Sequence, residues 1–232
     1  MRLSIYITLL TVGGALVSCD DGKIHDDSLS GNDNVGITVQ LTGSVTGTAT
    51  YGDDYSVALA AFMPGSEYAA VSKGVEDGNL SVTLAGVSPE AATVELCLLN
   101  RLRKRVAVYA SADMAAAGNT VSLDAGAVDA RMWAVLQHEV FDRSCAQCHG
   151  GSTGAAAGLR LTDGESYASL VGVASKKDPA AMLVSPGNAA ESVLWRAVAT
   201  NMSQYWRFRH IDLISSDMQI FIRDWINSGA EQ

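Results

Sequence analysis

The sequence predicts two domains, an all-β antiparallel sandwich followed by a small all-α domain, and three observations support this. Between Val35 and Asp124 short runs of apolar and β-branched residues alternate with polar ones, broken by Gly, Asp, Asn and Pro. Such period-2 alternation between turn signals marks half-buried strands. After Asp124 the apolar residues recur at helical spacing. At the N-terminus, Arg2 precedes an apolar stretch from Ile5 to Val17 that is too short to span a bilayer, so residues 1–18 read as a signal segment outside the fold.

That segment ends in Leu16-Val17-Ser18-Cys19, small residues before a cysteine. It resembles the lipobox of bacterial lipoproteins, which implies that Cys19 becomes the acylated first residue of the mature chain. The competing reading is an ordinary signal peptide whose Cys19 later pairs in a disulfide. Several acyl chains hold a protein on a membrane far better than one, so the expectation is an anchored protein that does not span the membrane. Residues 19–34 are polar and acidic without apolar periodicity, the pattern of a flexible tether. Acidic residues and Lys23 directly after Cys19 resemble the surface-export signals of some Gram-negative lipoproteins, so the outer membrane is the expected site. With 232 residues, 48% of them hydrophobic, and a net charge of -9, the chain can bury a core but is a poor partner for nucleic acid.

Within residues 35–126 the strand-like runs include Gly36–Gly43, Tyr55–Phe62, Leu80–Gly86, Ala92–Leu99 and Arg105–Ser111. Seven or eight such runs within about a hundred residues predict an immunoglobulin-like sandwich. No histidine occurs between His25 and His138, so no catalytic cluster appears in this half, which reads as an interaction or spacer module. Cys97 lies in one of the apolar runs and is expected to be buried.

In residues 127–232, Met132, Val135, Leu136 and Val140 share one helical face, with Asp129 as the expected N-cap. Near the C-terminus Met218, Phe221, Ile222, Trp225 and Ile226 share another, with Ser215 or Ser216 to cap it and Gly229 to end it. Glu191–Thr200 and Glu165–Gly172 read as two shorter helices.

The first of these helices runs into Cys145-Ala146-Gln147-Cys148-His149, the pattern C-x-x-C-H. This spacing can attach a haem, supply half of a zinc site or carry dithiol chemistry. On a helical turn, residues three apart point the same way. Cys145 and Cys148 can therefore form thioethers with the two vinyl groups of one porphyrin, leaving His149 under the iron. Zinc would need a second ligand pair, yet no cysteine follows His149 and the only later histidine is His210. A dithiol oxidoreductase would need a βαβ context, and the flanks here are helical. One covalent haem c is the favoured reading.

The order C-x-x-C-H-G, then Gly158-Leu159-x-Leu161, then Pro186-Gly187 followed by Ser192 and Leu194, and finally Trp225-Ile226-x-x-Gly229-Ala230 resembles the planctomycete-type cytochrome c domain. The resemblance runs from about Val140 to Ala230 and implies a class I cytochrome c fold, with His149 as proximal ligand. In that family a Met-Pro-Pro segment commonly supplies the distal ligand shortly before the last helix. Here Thr200–Asp217 contains no proline, and the family's spacing falls near Phe208–His210. His210 is the first candidate for the distal ligand, Met202 the second, and an open site the third. Arg207 and Arg209 are candidates for pairing with the haem propionates. Trp195, Tyr205, Trp206, Phe208 and Trp225 either enclose the macrocycle or fill the helical core, and His138 reads as a surface residue.

The expected function is electron transfer by a monohaem cytochrome lipoprotein at the cell envelope, with redox proteins as partners and no substrate transformation. The alternative class is a surface binding or haem-sensing lipoprotein whose sandwich recognises a partner, and the lesser one a zinc or dithiol module.

Overall fold

The structure, a computed structural model, describes residues 36–114, 118–151, 155–202 and 208–232. Cys19, the signal segment and the tether lie outside them, as do Tyr205, Trp206 and Arg207. Seven strands come first: β1 (Ile37–Thr46), β2 (Tyr55–Phe62), β3 (Ala69–Gly74), β4 (Gly78–Val87), β5 (Thr93–Asn100), β6 (Arg105–Asp113) and β7 (Thr120–Asp129). They form a three-stranded sheet, β4-β1-β7, and a four-stranded sheet, β3-β2-β5-β6.

All pairs are antiparallel except β1 and β7, which run parallel from Thr38 beside Thr120 to Thr46 beside Asp129. The expectation of a wholly antiparallel sandwich is corrected at this pair. Alternation fixes which face a side chain takes but carries no information on strand direction, and a parallel pair needs only a long connection, here the five intervening strands. The register shifts between Thr42 and Ser44, where a Cβ added to Gly43 would lie 2.5 Å from the Gly126 carbonyl oxygen. Only glycine permits that approach.

Val39, Leu41 and Val45 of β1 and Val57, Leu59 and Ala61 of β2 bury the inner faces of the two sheets in one core. Cys97 is buried as expected, among Ala58, Ala60, Phe62, Ala69 and Leu99 on the other face of the four-stranded sheet. Its Sγ contacts the Ala58 carbonyl, and burial raises its pKa, so it is a packing residue. On the same sheet Glu95 is 3% exposed and bonded through Oε1 to Arg105 Nη1 at 2.6 Å. Arg105→Met strands that carboxylate, and a loss of about 3 kcal/mol in urea unfolding is expected.

The helices follow: α1 (Met132–Leu136), a π-helical stretch Gln137–Cys145, α2 (Ala146–His149), α3 (Ser166–Leu170), α4 (Val193–Ala199) and α5 (Ser216–Asn227). Asp129 does not cap α1. It ends β7, past residue 126, and its carboxylate accepts from the Arg131 backbone N–H and guanidinium. Ser215 caps α5 as expected, accepting from Met218 N at 3.3 Å. The region has few helices. The stretch around Gly172, Pro179, Pro186 and Gly187 runs in turns and two isolated bridges, Val171 with Val184 and Ala174 with Met182, because these residues break helices.

The predicted apolar faces of α1 and α5 are buried, and their side chains join the core of the strands. Trp133 stands at the centre, with Phe141, Tyr167 and Trp225 at centroid distances of 5.4, 5.1 and 5.2 Å. Polar ties reinforce this packing: Tyr55 donates to Asp224 at 2.8 Å, Lys104 donates to Asp217 at 2.6 Å, and Tyr51 donates to the Ala130 carbonyl. Trp225 is 1% exposed. Trp225→Ala is expected to cost about 3–5 kcal/mol in the same unfolding assay.

Candidate haem site

The helical run from Met132 delivers C-x-x-C-H to the surface. Buried Val140 and Phe141 fix one face of the chain, and the wide π turns continue to Cys145, where the Ala146 N–H bonds the Phe141 carbonyl five residues back. Such turns are rare and are frequently found at functional sites. Cys145 and Cys148 then stand one turn apart, Cys145 partly buried and Cys148 exposed. Burial, with the neighbouring Cys148 adding to it, pushes the Cys145 thiol up to about 11. A C-x-x-C built for thiolate attack has its leading thiol lowered instead.

Gly150 ends this turn, and there a side chain would not fit: an added Cβ would lie 2.4 Å from the Ala146 carbonyl oxygen. The chain then turns through residues 156–158, where Ala157 and Gly158 have positive φ and the Ala156 carbonyl lies 3.0 Å from Nδ1 of His149. The backbone closes the loop from the other side, with Leu161 N donating to the His149 carbonyl at 2.7 Å. A backbone carbonyl on Nδ1 fixes the imidazole tautomer and leaves Nε2 free for a metal.

Facing His149 is His210, in a single turn His210–Asp212 before α5. The rings are 6.4 Å apart between centroids and 27° from parallel. Two metal–nitrogen bonds of about 2 Å each, plus about 1 Å from each nitrogen to its ring centre, give about 6 Å for one iron held between two imidazoles. Nδ1 of His210 is buried with no hydrogen-bond partner among the described residues. Burial, then the nearby His149, holds the imidazole below its ordinary pKa, while the Phe208 backbone acts in the other direction. Both effects favour the neutral ring that a metal requires. A hydrogen bond from the Ser144 hydroxyl to the Leu213 carbonyl, 3.5 Å long, ties this turn to the residue before Cys145.

Of the other candidates, Met202 is partly buried just beyond the end of α4, while the ring that meets His149 is that of His210. His138 is exposed beside Glu139. Phe208 is 50% exposed and meets His210 edge-on at 5.3 Å, whereas Trp225 belongs to the core and Trp195 packs partly buried against it. Arg209 is already engaged: its Nε and Nη2 donate to the two oxygens of Asp212 at 2.7 and 3.2 Å. Arg196 was not among the sequence candidates. Its Nε is buried without a partner, and the only sequence signal for it was a cation amid the apolar residues of α4. Among the described residues no three His, Cys, Asp or Glu side chains converge as a metal cluster.

The residues present fit a haem: two cysteines a turn apart, an imidazole with its tautomer fixed, and a second imidazole at the spacing of a shared iron. Residues 145–204 match the family model described as planctomycete cytochrome C, a narrower span than the sequence resemblance but one that contains Cys145, Cys148 and His149. No curated protein and no solved structure matches the chain. The match supports a cytochrome c-type domain in this part of the chain, a kind of domain that implies covalently bound haem c.

Proposed function

We propose that the protein is a monohaem c-type cytochrome lipoprotein that passes single electrons between redox proteins of the bacterial cell envelope. The observation that carries this reading is the pair of imidazoles 6.4 Å apart beside C-x-x-C-H. The haem supplies a one-electron couple at its iron. Cys145 and Cys148 would hold the macrocycle as thioethers, with His149 and His210 as the residues that would bind its iron. With both imidazoles bound to it the iron would have no position for a substrate, which favours a carrier over an enzyme. Cys148 is exposed, so a haem attached there would be open to the approach of a partner.

Residues 127–232 are read as a class I cytochrome c fold and residues 35–126 as an immunoglobulin-like sandwich that serves as spacer or contact module. Lipid on Cys19 anchors the chain, with residues 19–34 as tether, on the outer membrane.

Full-length protein made in a host that matures c-type cytochromes is expected to keep its haem through denaturing electrophoresis and to stain for it. It should also show a low-spin spectrum that sharpens on reduction. A protein that folds but carries no stain overturns the reading. Growth with labelled palmitate should mark the wild type and not Cys19→Ala, and label retained by the variant removes the lipid anchor from the proposal.

A further inference from the structure

Two buried polar atoms on adjoining elements lack hydrogen-bond partners among the described residues, Nδ1 of His210 and Nε of Arg196. Arg196 lies on α4, and α4 packs against the turn that carries His210. Its only ion pair among the described residues is loose: Nη2 is 3.9 Å from Asp178 Oδ2. Other arginines of the helical region are better engaged, Arg209 with Asp212, Arg160 with Glu165 at 2.6 Å and Arg143 with Glu139. A guanidinium N–H withdrawn from water needs an acceptor, and a carboxylate fits its planar fork best.

We infer that Arg196 is the carboxylate anchor of the site, donating through Nε and an Nη group to a propionate of the haem held by His149. This rests on the cytochrome reading above. It moves the propionate contact from Arg207 and Arg209 to a residue on α4. Arg196 thereby acts as a positioning residue and as a fixed positive charge that favours the reduced iron. Asp178, 3.9 Å from Nη2, carries the opposite charge, and His210 would be neutral as an iron ligand, so neither supplies that charge.

The test is the midpoint potential of the haem-loaded full chain, read by spectroelectrochemistry. Arg196→Gln should keep covalent haem and the low-spin spectrum while its reduction equilibrium falls about tenfold, about 59 mV for one electron. Arg196→Lys, which retains the charge but not the fork, should recover part of that loss. A potential unchanged in Arg196→Gln, with the spectrum intact, overturns the assignment.

A second readout needs no charge-removing variant to fold. The Arg196 Nε–H resonance, identified by its loss in Arg196→Lys, should exchange slowly and shift between oxidation states. Exchange as fast as that of free arginine overturns the assignment. Absence of covalent haem from the wild type would defeat the cytochrome reading and this inference together, whereas haem present with the potential unmoved defeats this inference alone.

Discussion

Replacing both Cys145 and Cys148 by alanine is expected to remove all haem from the denatured protein and to leave little holoprotein. On the proposed attachment the thioethers would be the only covalent bonds to the macrocycle, and the site gives few other means of holding it. The helices around it are short: α2 has four residues, α3 has five and α4 has seven. Phe208 and Leu213 near His210 and Met182 in the neighbouring bridge are among the exposed large apolar residues. Such a region buries too little surface of its own to hold a cofactor tightly. The single variants should differ. Cys145 is partly buried on a chain anchored by Val140 and Phe141, whereas Cys148 is exposed. Cys148→Ala should therefore retain some stainable haem through the buried thiol, and Cys145→Ala less. Haem staining and pyridine haemochrome spectra of the three variants against the wild type read the result directly. Full staining in the double variant would show that attachment does not depend on these thiols.

The strands that hold this site up were legible because alternation reports burial, and the seven strands match the seven or eight runs expected. The direction of β7 was not, since the same alternating residues serve a parallel or an antiparallel neighbour. At the start of the helical region the positions Met132, Val135, Leu136 and Val140 are on the core side as their spacing implied. The widening into π turns before Cys145 leaves no trace in that spacing. Asp129 had the chemistry of an N-cap, yet Arg131 two residues on claims its carboxylate and the helix starts later. The same limitation applies at the site. C-x-x-C-H declares itself because its chemistry depends on covalent spacing along one turn. The histidine that meets it comes from 61 positions further on (210 − 149), brought back by the fold. Arg209 and Arg196 look alike in sequence. Only the packing shows that Asp212 occupies the first and that a buried nitrogen of the second is unpartnered.

His210→Ala is expected to turn a low-spin haem into a high-spin one while leaving the covalent attachment intact. His149 is held on the other face by its own turn: Nδ1 rests against the Ala156 carbonyl, and the His149 carbonyl accepts from Leu161, neither of which involves the His210 segment. Loss of His210 therefore opens one axial position without dislodging the haem. A small ligand such as added imidazole should enter it and restore the low-spin spectrum. His210→Met tests the electronic side of the assignment. A thioether stabilises reduced iron relative to an imidazole, so this variant should have a higher potential than the wild type if the sulfur coordinates. Met202 provides the competing outcome. Were its sulfur the native ligand, His210→Ala would stay low-spin, Met202→Leu would become high-spin, and the close approach of the two imidazoles would be a packing contact alone. Visible spectra of the two single variants separate these assignments, with the wild type and its imidazole complex as references.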